Sequence, residues 1–276
     1  MSRPVPSQLV DRARGYLEGR WRPVEPRHAA TVALVRDAAG GGIEVYLLRR
    51  VSSMAFAAGM YVFAGGRVDP RDADDVPWSG PDPAAWAPSF AASPDLTRAL
   101  VCAAVRETFE EAGVVLAGPD ASSVVADTTG EDWEADRQAL LSRELAFSEM
   151  LRRRGLVLRA ELLRPWAHWI TPEFEERRYD TRFLVAALPP GQRTRDVGGE
   201  ADRVVWMRPD EAVAGHEAGR LAMLPPTVMT LAELSAYSSV AEVLAAPRTI
   251  SPILPRAVED GPDLALVLPG EPGYPA

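Results

Sequence analysis

The stretch ATVALVRDAAGGGIEVYLLRR, residues 30–50, holds two apolar runs around a glycine turn, and it predicts a β-hairpin. The segment GMYVFAGGRVDPRD continues as a short strand over 61–63 that runs into a turn at Gly65 and Gly66. Prolines at 77, 81, 83, 88 and 94 break every regular period between 73 and 97. That density predicts a long loop, of the kind that serves compact domains as a lid or binding element. Residues 98–112 read as a helix with Gly113 placed to cap it, followed by an apolar strand over 114–116.

A polar helical stretch over 132–154 ends at Gly155. Strands are expected at 167–170, 179–188 and 203–207, and helices at 209–218 and 226–245. A Pro- and Arg-rich arm occupies residues 1–28, and the last thirty residues are Pro-rich without a readable element. Strands and helices do not alternate regularly, so the expected class is α+β with a mixed sheet rather than a doubly wound fold. The whole chain, 1–276, is expected to form one domain, with 73–97 inserted in it and 225–276 adding a C-terminal helix and tail.

Within the helix, VRETFEEAGV at 105–114 crowds three glutamates and an arginine into six positions. At about 100° per residue from Glu107, Glu110 falls near 300° and Glu111 near 40°, so the carboxylates share one face. Val101, Val105, Thr108, Phe109 and Ala112 lie opposite and would anchor the helix. Like charges at this spacing repel by a few tenths of a kcal/mol per pair, so a cation is needed beside them. Mg²⁺ and Mn²⁺ favour carboxylate oxygens completed by phosphate and water. Arg106, bordering Glu110, can orient a carboxylate by a forked hydrogen bond. A merely solvated acidic face is the alternative.

Composition narrows the chemistry. The 47% of apolar residues can fill a core, and a net charge of −9 disfavours sequence-independent contact with nucleic acid or anionic membrane. All 30 basic residues are arginine, which removes a Walker-type lysine, a Schiff base and a kinase-like lysine. Cys102 stands alone in an apolar helical stretch and reads as a buried thiol; His28, His168 and His216 lack metal-ligand spacing. With no apolar run near the roughly 20 residues of a membrane span and no signal-like start, a cytoplasmic protein is expected.

The glutamate cluster resembles the Nudix hydrolase box, in which G, five residues and E precede, after seven residues, REUxEExGU with U apolar. Arg106 to Val114 match the second half, with Thr108 at the first U. In the first half Gly66 is followed after five residues by Asp72, an aspartate in the glutamate's place, and 33 residues rather than seven separate it from Arg106. The resemblance implies a Nudix fold, a mixed sheet between helices, and metal ligands at Glu107, Glu110, Glu111 and the Gly65 carbonyl. It covers roughly residues 29–245.

The flanking LLRR, GMYVFAGG, WITPEFEERRYDTRFLVAALP and LPPTVMTLAEL are similar to segments of the coenzyme A diphosphatase branch, in the subgroup whose box carries a long insertion. That resemblance implies hydrolysis of coenzyme A or acyl-coenzyme A to 3′,5′-ADP and (acyl-)phosphopantetheine. ADP-ribose, NADH and diadenosine polyphosphates are alternative substrates, and a non-catalytic nucleotide sensor is a further alternative. Catalytic roles would fall to Glu110, Glu111, Arg106 and Glu200, substrate contacts to Arg49, Arg50, Gly66 and Trp169, with Mg²⁺ or Mn²⁺ as cofactor.

Arg49 and Arg50 either grip a 3′-phosphate or are surface charge. Trp78, Trp86 and Phe90 either line an acyl pocket or pin the proline-rich loop. Of Trp166 and Trp169, strand alternation assigns at least one to the core; Arg177 and Arg178 admit both readings. The expected partner is a small nucleotide, neither nucleic acid nor membrane, with self-association as a homodimer left open.

Overall fold

Strands β2 (Arg27–Asp37) and β3 (Ile43–Arg50) realise the hairpin at 30–50 and lie in the centre of an antiparallel and parallel sheet. In the computed structural model, which describes residues 3–51, 57–195 and 201–275, they follow β1 (Arg3–Pro4) and α1 (Val10–Leu17). Next come β4 (Tyr61–Val62), which pairs with β3, and β5 (Ala64–Arg67), which pairs with β2. β2 thus pairs with β3 through Val35 to Asp37 and with β5 through Ala29 to Val32, so the Gly65–Gly66 backbone is held flat against the sheet.

The insertion departs from the expected loop. It contains β6 (Trp78–Ser79) and α2 (Pro83–Phe90), and α3 (Pro94–Ala112) begins inside it. Proline at the first helical position explains this, because its missing N–H is one the helix leaves unbonded anyway. Asp82 caps α2 by accepting from Ala84 N at 2.8 Å, and Ser93 caps α3 by accepting from Leu96 N at 3.2 Å. Gly113, at φ 71°, closes α3 as expected, its N–H donating to the Phe109 carbonyl at 2.9 Å.

Residues 114–116 are buried but are not a strand; β7 is the short Ala117–Gly118. The Gln192 amide takes a strand's place, accepting from Val115 N and donating to Val115 O, both at 2.9 Å. The helical stretch at 132–154 divides into α4 (Glu131–Leu141) and α5 (Phe147–Arg154), separated by a turn with Arg143 at φ 62°. β8 (Val157–Arg159) joins β6 and β7 in a small sheet. β9 (Leu163–Ile170), β10 (Tyr179–Ala187) and β11 (Ala201–Met207) complete the main sheet close to the expected positions.

After α6 (Pro209–Glu217), the expected helix at 226–245 is two helices, α7 (Pro225–Leu234) and α8 (Val240–Ala245), because Ser239 starts a new N-terminus by accepting from Glu242 N. The tail is ordered: β12 (Pro252–Ile253) joins β9, and β13 (Arg256–Asp260) pairs with β14 (Asp263–Val267). β1 pairs with β14, so the two chain ends share a small sheet on which α1 packs. The main sheet runs β11-β3-β2-β10-β9-β12. Alternation along β2 divides two cores: Ala30, Val32 and Leu34 face α3, while Ala33 and Val35 face the packing of α6 to α8. Among the described residues no helix is long and apolar enough to cross a membrane.

Candidate active site

The C-terminal half of α3 lies against β5, and the absence of a Gly66 side chain admits Glu107. A Cβ on Gly66 would sit 2.5 Å from the Glu107 carboxyl carbon. At Gly65 a Cβ would meet the Ala30 carbonyl at 2.6 Å, and the Gly65 N–H donates to Glu111 at 2.8 Å. Gly65 is therefore required by the approach of the neighbouring strand's backbone, whereas a side chain at Gly66 would displace the Glu107 carboxylate.

Arg106 is the hub. It donates to both Asp72 oxygens at 2.9 Å, to Glu107 at 2.8 Å, to both Glu110 oxygens at 3.2 Å and to the Arg67 carbonyl at 3.0 Å. Asp72 is buried, and its 3-10 turn forms a reciprocal cap: Asp72 accepts from Asp69 N while Asp69 accepts from Arg71 N. The α3 backbone is fixed from the other side, where buried Arg137 donates to the Glu110 carbonyl at 2.9 Å.

One guanidinium thus serves three carboxylates, with Glu111 alongside on the Gly65 N–H. Burial, opposed by Arg106 and reinforced by the charge of Glu110, pushes the Glu107 carboxyl up to about 7. For Arg106 burial works in the opposite direction, but the Asp72 hydrogen bonds and the charge of Glu107 outweigh it and raise its pKa. The cluster is richer in carboxylate than in cation, and its donors are hard oxygens, which suits Mg²⁺ or Mn²⁺. Among the described residues no three acidic, histidine or cysteine side chains converge as a finished cage, because Arg106 draws Glu107 and Glu110 while Glu111 turns to Gly65.

The cluster opens into a cavity of about 1160 Å³. Gly65, Gly66, Glu107, Glu110, Glu111 and Arg106 line it at one side, and Arg50 and Trp169 line it elsewhere. Trp169 is buried and lies across from Thr181 of β10. Trp166 belongs to the core instead, donating to Glu233 at 2.9 Å beneath the Arg248 guanidinium.

The remaining expected residues fall as follows. Arg49 does not line the cavity; it pairs with Asp202 of β11 at 2.7 Å because β3 and β11 bring the two side chains together. Trp86 stacks on buried Phe90, and Trp78 donates to the Pro81 carbonyl at 3.0 Å. These three rings pin the insertion to the core and do not line the cavity. Buried Arg178 serves the backbone, donating to the carbonyls of Thr171 and Val24. Glu200 lies outside the described residues. Cys102 is buried, which pushes its thiol up to about 12.

Sequence reasoning passed over Asp180 of β10. It accepts from His168 and Arg182 and lies 3.2 Å from His28, and Arg182 also donates to the Phe90 carbonyl at the end of α2. It also passed over Arg27, Arg67 and Arg143 as cavity-lining residues. Isolated arginines carry no motif; the placement of Arg27 and Arg67 follows from strand register and that of Arg143 from the turn between α4 and α5.

A protein-family profile described as the NUDT19 Nudix domain matches residues 89–234, over half of the chain. The acyl-coenzyme A diphosphatase NUDT19 of Xenopus laevis is 24% identical over 235 residues, covering 72% of this chain and 62% of the relative. That of Gallus gallus is 28% identical over 266 residues, covering 78% of this chain and 69% of the relative. This chain therefore spans under two thirds of the length of the first of these. Among solved structures, a NUDIX hydrolase from Alicyclobacillus acidocaldarius superposes with a TM-score of 0.69 at 28% identity, over 81% of this chain and 97% of the other.

Proposed function

This chain belongs to the family of the NUDT19 Nudix domain, and from that premise we propose that it is a divalent-cation-dependent diphosphatase acting on coenzyme A and acyl-coenzyme A. The observation that carries the reading is the packing of Asp72, Glu107 and Glu110 around one arginine, with Glu111 beside them on the Gly65 N–H, at the edge of the large cavity. Pockets for drug-sized ligands span about 300–1,000 Å³, so this cavity has room for an extended nucleotide conjugate. The relatives named for acyl-coenzyme A diphosphatase support that choice of substrate.

In this reading Glu107, Glu110, Glu111 and the Gly65 carbonyl would hold Mg²⁺ or Mn²⁺, which would supply charge neutralisation at the diphosphate and a more acidic water. Hydrolysis adds water across the P–O–P bridge: the water oxygen bonds to one phosphorus, the bridging bond to it breaks, and the bridging oxygen leaves on the other phosphate. Glu110 or Glu111 accepts the water proton, with Glu200 as the alternative base. Arg106 keeps the carboxylates oriented and is already saturated by them, which fits a positioning role.

The test is to incubate the protein with Mg²⁺ or Mn²⁺ and, separately, coenzyme A, acyl-coenzyme A, ADP-ribose, NADH and diadenosine polyphosphates, and to weigh the products. Release of 3′,5′-ADP and (acyl-)phosphopantetheine is expected. Turnover confined to ADP-ribose, NADH or diadenosine polyphosphates would replace the substrate, and binding without turnover would make the chain a sensor.

A further inference from the structure

Most guanidiniums around the cavity already have partners. Arg71 pairs with Asp69, Arg106 is saturated by its carboxylates, and Arg178 serves two carbonyls. Arg27 and Arg67 differ: both are exposed, both line the cavity, and among the described residues neither side chain makes a hydrogen bond or ion pair.

Strand register places them together. Arg67 of β5 pairs with Ala29 of β2, and Arg27 lies two residues back on the same face of β2. Diagonal neighbours on one sheet face lie about 7–8 Å apart, within converging reach of two arginine side chains. Ala29, directly opposite Arg67, also lines the cavity, and its small side chain leaves room above the sheet.

The same alternation separates this pair from the carboxylates. The Gly66 Cβ direction points at Glu107, so the next residue, Arg67, faces the opposite side of β5. A diphosphate at the carboxylate cluster therefore lies one residue away along the backbone from the pair, on the other face. Glu25, Glu175 and Glu176 also border the cavity, but none pairs with Arg27 or Arg67, and Glu176 is taken by Arg12 at 2.6 Å. Arg143, also lining the cavity, stands apart on the turn between α4 and α5.

We propose that Arg27 and Arg67 form a seat for a phosphomonoester carried by the substrate in addition to its diphosphate, and so select phosphorylated nucleotides. Planar guanidiniums recognise phosphate by paired, charge-assisted hydrogen bonds, and two of them can share one dianion. The proposal rests on the cavity being the substrate site of the diphosphatase described above.

The test is calorimetric binding of 3′,5′-ADP and 5′-AMP, with kcat/KM for coenzyme A and dephospho-coenzyme A, in the wild type, Arg27→Gln, Arg67→Gln and the double variant. Charge-assisted hydrogen bonds give an expected preference of about 10- to 100-fold for 3′,5′-ADP over 5′-AMP in the wild type. The double variant should bring this ratio close to one while 5′-AMP affinity holds. Arg153→Gln, on the outer side of α5, should leave the ratio intact. Thermal melting checks that each variant is folded.

A wild-type ratio near one overturns the seat, as does equal loss of both ligands in a folded variant, which would assign the arginines to the diphosphate. A retained binding preference without turnover of coenzyme A upholds the seat and overturns the hydrolytic reading. Turnover without a preference does the reverse.

Discussion

Arg106 and Asp72 are separated by 33 residues in the chain, yet two guanidinium nitrogens meet the two carboxylate oxygens at 2.9 Å. The capped turn at Pro70–Ala73 delivers the short aspartate to a place where the family pattern has a glutamate. The insertion lengthens the path between the two without parting them, because α2 packs back on α3.

Asp72→Asn leaves Arg106 buried against a neutral amide. Breaking a buried pair on one side costs about 3 kcal/mol, reduced here by the retained contacts to Glu107 and Glu110. A melting temperature lower by several degrees, read by circular dichroism, is the expected outcome; an unchanged melt contradicts the role of the pair.

Glu110→Gln and Glu111→Gln should lower turnover by about 10²–10³-fold, the scale of losing one electrostatic group at a reacting phosphate. The fold should persist, since a glutamine oxygen at 111 can still accept from the Gly65 N–H. Steady-state rates beside a melting curve decide it, and either variant at wild-type rate removes that residue from the site.

The two glycines should fail differently. Gly65→Ala drives a Cβ into the Ala30 carbonyl and the Thr31 Cα, both backbone, and should cost about 1–3 kcal/mol of stability. Gly66→Ala meets only the movable end of Glu107, so the protein should fold with reduced turnover. Denaturant midpoints together with rates separate the two cases.

Asp180 gives a pH prediction. Burial alone would lift its carboxyl, but hydrogen bonds from His168 and Arg182 hold it well below the usual carboxylate range. A folded-state pKa below the unfolded value means stability that is present above about pH 4 and lost as pH falls further. Asp180→Asn should flatten that acid limb. At neutral pH it should also cost about 3 kcal/mol, because Arg182 loses its counter-charge. Denaturant unfolding from pH 3 to 8 measures both, and limited proteolysis at α2 reports whether the insertion loosens.

Local signals in the sequence were readable wherever a short-range period or a cap decided the outcome. The hairpin at 30–50, the end of α3 at Gly113 and strands β9 to β11 fall close to their expected positions. The misread segments were those where context outweighed propensity. Prolines that read as loop serve as helix starts at Pro83 and Pro94, and the Gln192 amide satisfies the backbone at Val115 without a strand partner. The N-terminal arm looked structureless because β1 becomes a strand only by pairing with β14 across the length of the chain, while β14 itself is held in a hairpin with β13.

The sequence alone determined that Glu107, Glu110 and Glu111 share a helix face beside Arg106, since helical pitch fixes that relation from spacing alone. Tertiary structure decided which remote groups meet them: Asp72 at the guanidinium, Gly65 at Glu111 and the open Gly66 at Glu107. It also sent Arg49 to Asp202 and left Arg27 and Arg67 facing the cavity. Those outcomes depend on strand order and register, where a shift of one residue turns a side chain to the opposite face, and no local pattern encodes such a choice.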